Sequence, residues 1–286
     1  MIICPLDGPG VGLHGARMKD PDHPLCPLGA LELALRLADA ARPETLPRWT
    51  AGVVAENKSD GPDFDPVTDA DREAERVMRA LIEAEFPDHG IAGEEFPDRE
   101  ARGPYRWSLD PVDGTRSFTC GLPSWVTLIA LLRDGRPVLS VIDAPCLDER
   151  YVADQGRTLL LSAASEHALA TSPCKQLGDA RFSTTDPYLF VGDEMEAFER
   201  VRRSVRTTRY GQDGYAYARL AAGTIDLVVE SGLKPHDYNA LIPVVRGAGG
   251  VIGDWLGGED FSKGKVIAAA TPELFAETLG LMRLAA

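Results

Sequence analysis

The sequence predicts a mixed α+β or layered α/β protein. Three patterns point there: helical periodicity near the N-terminus, an antiparallel meander of short apolar runs over 106–161, and strand alternating with helix from about residue 155. The 286-residue chain is 44% hydrophobic and 26% charged, which are globular values, and it is long enough for one or two domains. The change of rhythm divides it into an irregular leader over 1–27, an N-terminal α+β part over 28–154 and a C-terminal α/β part over 155–286.

The leader is rich in Gly, Pro and Asp without a period. Its G-x-G at Gly8 and Gly10 follows no strand and opens no helix, so it is a poor nucleotide loop. His23 and Cys26 form an H-x-x-C that lacks the second pair a zinc site needs. Leu28, Leu31, Ala34, Leu35 and Ala38 share a helical face, and Pro43 is expected to end that helix. A short strand is expected over 53–55, leading to Glu56-Asn57-Lys58, and 59–66 is turn-rich. Thr68 or Asp69 then caps a helix to about Phe86, with Ala70, Ala74, Val77, Met78, Leu81 and Ile82 inward and Pro87-Asp88-His89-Gly90 as its stop.

A strand over 106–109 delivers Asp110. Runs 126–132 and 137–142 flank Arg133-Asp134-Gly135-Arg136, which carries the Asp-Gly hairpin signal. Further antiparallel strands are expected over 149–153 and 157–161. Beyond them come strands over 189–191, 225–230 and 266–269, and helices over 195–205, 214–222, 237–248 (despite Pro243) and 272–284, the last with Pro in its first turn.

Charge narrows the function. Lys and Arg number 30 against 44 Asp and Glu, a formal net charge of −14 that repels a nucleic-acid backbone. Small phosphates are not excluded, because a bound cation reverses the local sign. No apolar run reaches the ~20 residues of a membrane span, and Met1 to Pro9 lacks the features of a signal peptide. Five widely spaced cysteines without C-x-x-C suit free thiols in a reducing cytoplasm, so a cytoplasmic location is expected.

Five acids stand at the ends of expected elements, where side chains converge. They are Asp71 in Asp65-Pro66-Val67-Thr68-Asp69-Ala70-Asp71, Glu94 in Gly93-Glu94-Glu95, Asp110 and Asp113 in Asp110-Pro111-Val112-Asp113-Gly114-Thr115, and Asp237 in Lys234-Pro235-His236-Asp237-Tyr238. Gathering so many carboxylates without cations costs several kcal/mol, and hard, oxygen-seeking divalent ions such as Mg²⁺ relieve that cost. Within the 110–115 segment, Pro111 fixes a bend, so that Asp110, the Val112 carbonyl and Asp113 can face one point. Gly114 admits close backbone approach, and Gly114 and Thr115 can open a helical turn whose N–H groups hold a phosphate. A plain Pro-Asp-Gly turn, a solvated Glu94-Glu95 pair and simple helix capping by Asp71 or Asp237 are the competing readings of the single motifs.

Taken in order, these motifs, ending with a late Asp before a helix that closes on Gly247-Ala248-Gly249-Gly250, resemble the inositol monophosphatase family of Mg²⁺-dependent, lithium-sensitive phosphatases. The resemblance covers about 28–284. Glu56-Asn57-Lys58, Phe86-Pro87-Asp88-His89-Gly90-Ile91, Gly114-Thr115-Arg116-Ser117-Phe118, Gly121-Leu122-Pro123-Ser124-Trp125 and the stretch from Asp226 to Pro235 look most like its histidinol-phosphate phosphatase branch.

The resemblance implies an α/β/α/β/α sandwich, usually a homodimer. It implies a first Mg²⁺ on Glu94, Asp110 and the Val112 carbonyl, a second on Asp110, Asp113 and Asp237, and a third, weaker ion held through water on Glu94. Glu94 and Thr115, with Asp71 behind Thr115, would orient and deprotonate the attacking water; Gly114 and Thr115 would hold phosphate; Glu230 would meet the polar part of the substrate. Two departures stand out: the stretch from Lys58 to Asp71 is a few residues long, and His236 replaces the more usual Trp or Tyr, as a non-ligating neighbour of Asp237 or an added ligand.

The implied reaction is hydrolysis of L-histidinol phosphate, whose cationic end needs acids. Glu230 and Asp213 are candidates for it, and Trp125 and Tyr238 either flank an imidazole or belong to the core. Inositol or another sugar monophosphate is the alternative substrate, and a non-catalytic metal- or ligand-binding regulatory relative is the alternative class.

Overall fold

The computed structural model describes residues 26–52, 56–57 and 66–283. The rest of the leader, the expected strand over 53–55, Lys58 and most of the turn-rich segment lie outside the described residues. Helices are α1 (Ala30–Ala51), α2 (Asp69–Glu85), α3 (Thr115–Thr119), α4 (Asp193–Ser204), α5 (Asp213–Ala221), α6 (Pro235–Gly247) and α7 (Pro272–Met282). Strands β1 (Glu56–Asn57) and β2 (Pro66–Val67) pair with each other.

A seven-stranded sheet follows chain order: β3 (Gly90–Gly93), β4 (Tyr105–Asp113), β5 (Val126–Arg133), β6 (Arg136–Ala144), β7 (Glu149–Asp154), β8 (Arg157–Leu161) and β9 (Glu166–Ala168). Only β3 and β4 are parallel in it; the rest is the expected meander. A five-stranded sheet contains β10 (Arg181–Thr184), β11 (Thr207–Tyr210), β12 (Leu227–Glu230), β13 (Val251–Gly253) and β14 (Val266–Ala269), in the order β11-β10-β12-β14-β13.

Side-chain alternation along the strands builds five layers. Trp107, Leu109, Ile129, Leu131 and Val141 face α1 and α2, while Leu128, Ala130, Ile142 and Tyr151 face α5 and α6. The other side of α5 and α6 meets Val228, Val266 and Ala268 of the second sheet, whose Leu227, Val229 and Ile267 cover α4 and α7. Among the described residues, no helix is long and apolar enough to cross a membrane.

Three expectations are corrected. Helix α1 does not end at Pro43 but runs through Pro43 and Pro47. Both prolines lie on its exposed side, whereas Ala41 and Thr45 are buried. Anchoring of that inner stripe outweighs the roughly 3 kcal/mol that an interior proline costs. Strand β4 continues through Pro111, where its register against β5 shifts and β3 has already ended at Leu109. The missing N–H therefore falls in a bulge beyond β3. Residues 189–191 are no strand: Asp186 accepts from the Tyr188 N–H and starts a 3₁₀ turn over Pro187–Leu189, leaving Val191 exposed. The neighbouring strands are instead β10 and β11, whose polar, short sequences carry little apolar period.

Candidate active site

The bulge in β4 places the first acids. Asp110 Oδ1 accepts from the Val112 N–H at 3.1 Å, and Thr127 Oγ1 donates to the Pro111 carbonyl at 2.8 Å, which fixes the irregular backbone. Gly114 follows with φ 83°, a left-handed value suited to glycine, and opens α3 at Thr115. Thr115 Oγ1 donates to the Val112 carbonyl at 3.0 Å.

Three other elements bring acids to the same place. In α2, Asp71 closes a capping box: its Oδ2 accepts from the Thr68 N–H at 2.9 Å and from the Thr68 hydroxyl. Its Oδ1 is buried with no hydrogen-bond partner. One turn on, buried Glu75 accepts from the Glu95 N–H at 2.8 Å and from Arg79, holding the Gly93-Glu94-Glu95 turn after β3. A Cβ on Gly93 would lie 2.0 Å from Glu75 Oε1, so only glycine permits this contact. In α6, Asp237 Oδ2 accepts from the Lys234 N–H at 2.7 Å.

Ligand atoms of Asp110, Asp113 and Asp237 lie within 4.8 Å of one another; so do those of Glu94, Asp110 and His236, and those of Asp71, Glu94 and Glu95. Asp110 and Glu94 are shared, which makes one continuous basket. His236 Nε2 is also 3.5 Å from Asp237 Oδ1. By sequence a solvated Glu94-Glu95 pair competes with a ligand role, and His236 is either a non-ligating neighbour of Asp237 or an added ligand; Glu94, Glu95 and His236 all stand within these clusters. A legible signal was the buried acid spacing Asp71 and Glu75 on one face of α2.

The far wall comes from the C-terminal part. The Gly214 N–H donates to Asp113 Oδ2 at 2.6 Å, and Asp213 has a left-handed φ of 45°. Glu230, at the end of β12, accepts from the Thr185 N–H at 2.7 Å and from the hydroxyls of Thr184 and Thr185. Gly114, Thr115, Asp213 and Glu230 all line the cleft together with Glu94, Asp110, Asp113, His236 and Asp237. Trp125 and Tyr238 do not: Trp125 is buried edge-on against Phe118, and Tyr238 packs on Phe261. They are core residues.

The electrostatics are those of a crowded, buried acid cluster that Arg116 and Lys234 offset only in part. Burial, reinforced by Glu94, Asp113 and Asp237, pushes Asp110 well above the usual carboxylate range; burial and Asp213 do the same to Asp113. Burial raises Asp71 to about 7, Asp213 to about 6 and Glu230 to about 8. Oxygen donors, burial and the unpartnered Asp71 Oδ1 together fit hard divalent cations.

A layered α/β fold with a carboxylate basket beside a Gly-Thr helix start defines a phosphomonoester hydrolase of the metal-dependent class. The comparisons agree: the model of the inositol monophosphatase family matches residues 30–284. The chain belongs to the inositol monophosphatase family, whose members are phosphatases. It is 47% identical over 200 residues to the chloroplastic bifunctional phosphatase IMPL2 of Arabidopsis thaliana, covering 69% of this chain and 57% of that protein. It is 37% identical to the histidinol-phosphatase of Mycobacterium tuberculosis, over 77% of this chain and 85% of that one. The structure of an inositol monophosphatase from Zymomonas mobilis superposes with TM-score 0.78 at 41% identity, covering 88% of this chain and 96% of that one.

Proposed function

We propose that the chain is a Mg²⁺-dependent L-histidinol-phosphate phosphatase. The observation that carries the metal-dependent part is the convergence of Asp110, Asp113, Asp237, Glu94 and Asp71 next to Gly114 and Thr115. Glu94, Asp110 and the Val112 carbonyl would hold one ion, and Asp110, Asp113 and Asp237 a second; a third, water-mediated ion would lie by Glu94. Mg²⁺ bound there supplies phosphate charge neutralisation, a more acidic water and stabilisation of the leaving alkoxide.

The chain's own groups do the rest. Glu94 and Thr115 orient the attacking water and Glu94 takes its proton, with Asp71 supporting them from α2. The α3 backbone at Gly114 and Thr115 receives the phosphate oxygens. Asp213 and Glu230 meet the cationic end of the substrate. In this reading residues 28–154 supply most of the metal-binding acids, and residues 155–286 supply Asp237 and the substrate wall. The histidinol assignment is supported by the histidinol-phosphatase relative and by acids on the wall opposite the phosphate loop. We further propose a cytoplasmic homodimer.

A panel of phosphomonoesters assayed for phosphate release with Mg²⁺ tests the reading. Histidinol phosphate is expected to be turned over with the highest kcat/KM. Preference for inositol monophosphate would move the assignment to the activity named for the Zymomonas mobilis neighbour. Mg²⁺ binding without hydrolysis of any ester would indicate a regulatory relative.

A further inference from the structure

One polar group at the cleft is left without a use by the proposed mechanism. Tyr217, on α5, is 1% exposed and lines the cleft, and its hydroxyl is buried with no hydrogen-bond partner. It stands one turn after Asp213, so both residues fall on the same face of α5. The hydroxyl lies within electrostatic reach of Glu230, Asp113 and Asp237, all three of which line the same cleft as Tyr217. An unsatisfied buried hydroxyl destabilises the fold, and aliphatic side chains from the same helix fill the neighbouring core without that cost.

Three of its surroundings are acidic, and a carboxylate, when ionised, accepts hydrogen bonds but does not donate them. Among the described residues, a substrate with a lone pair at this depth finds no other neutral hydroxyl donor lining that wall apart from Thr185, whose hydroxyl already donates to Glu230 at 3.1 Å, and Ser231, whose hydroxyl donates to Glu194 at 2.9 Å. We propose that Tyr217 is a specificity residue whose O–H donates to the acceptor nitrogen of the substrate's imidazole, while Asp213 and Glu230 receive the imidazole N–H and the cationic amine. A neutral imidazole presents one acceptor nitrogen and one N–H, and this wall matches both. The inference rests on the histidinol-phosphate reading and adds the group that distinguishes a nitrogen heterocycle from a polyol.

The test is Tyr217→Phe, which removes one oxygen and keeps the ring. Steady-state kinetics with Mg²⁺ would be measured on histidinol phosphate and on glycerol 2-phosphate, which has no nitrogen, and thermal unfolding would be followed without substrate. The expected result is a kcat/KM loss on histidinol phosphate at least tenfold larger than on glycerol 2-phosphate. The unfolding midpoint should equal or exceed that of the parent, since the substitution deletes an unsatisfied group. Equal losses on both esters, no loss on either, or a lowered midpoint would overturn the proposal and assign the hydroxyl a structural or solvated role. A parent enzyme that hydrolyses glycerol 2-phosphate but not histidinol phosphate would sink the substrate reading, and this inference with it. Selective activity on histidinol phosphate retained in full by the Phe variant sinks the inference alone.

Discussion

The Gly214 N–H donates to Asp113 Oδ2 at 2.6 Å, so the first turn of α5 rests directly on a cleft carboxylate of β4. A Cβ at residue 214 would stand 2.6 Å from that same oxygen and 3.3 Å from Leu128 Cδ2. Gly214→Ala must therefore displace either the helix or the carboxylate. We expect kcat to fall at least tenfold with the fold retained, measured by steady-state phosphate release alongside circular dichroism.

Asp110 is 2% exposed and shared by two acid clusters. Asp110→Asn keeps the shape, removes the negative charge and should lower turnover by about 100-fold or more. Without metal, the variant should be at least as stable as the parent, because burial already disfavours the Asp110 charge. Calorimetric titration with Mg²⁺ should show weakened binding; parent-like binding and turnover would remove Asp110 from the proposed ligand set.

The raised cleft carboxylates set a pH dependence. Asp213, Asp71 and Glu230 are pushed up to about 6, 7 and 8, while unfolded carboxylates titrate near ~4. Between pH ~4 and ~8 the folded chain thus binds more protons at these groups than the unfolded chain does. Their contribution to stability is fully present below the unfolded values and is lost as pH rises through the folded ones. In chelator the unfolding midpoint should fall from pH 5 to pH 8, and Mg²⁺ should recover more of it at pH 8. Thermal melts at both pH values, with and without Mg²⁺, check both statements.

A second buried acid is structural. Asp143 on β6 is fully buried and accepts from Arg42 on α1 at 2.9 Å and from Arg150 on β7 at 2.7 Å. Asp143→Ala removes the buried partner that Arg42 and Arg150 share, leaving Arg150 with the more exposed Asp39 and Arg42 with Asp148, and should destabilise the protein by about 2 kcal/mol. Urea unfolding measures it, and Mg²⁺ affinity in the folded variant should be unaffected.

Much of this was legible in order along the chain. The α2 stripe, the Asp134-Gly135 hairpin and the Gly114-Thr115 helix start are local, because spacing and turn chemistry act over a few residues. The same holds for the acids as residue types: their motifs announced oxygen ligands before any contact was known. Local rules failed where packing overrode them. The prolines of α1 survive because the opposite stripe is anchored, and β10 and β11 form because the second sheet supplies partners, not because their sequences alternate.

Alone, then, the amino-acid order determined the layer type, the metal-seeking chemistry and the family. Tertiary structure decided which acids share a space, that Glu75 holds the Glu94 turn, and that Tyr217 carries an unpartnered hydroxyl at the cleft. Those facts depend on side chains from separate segments of the chain meeting in a water-poor interior, where an unmatched charge or hydroxyl acquires its cost, and no local pattern encodes that meeting.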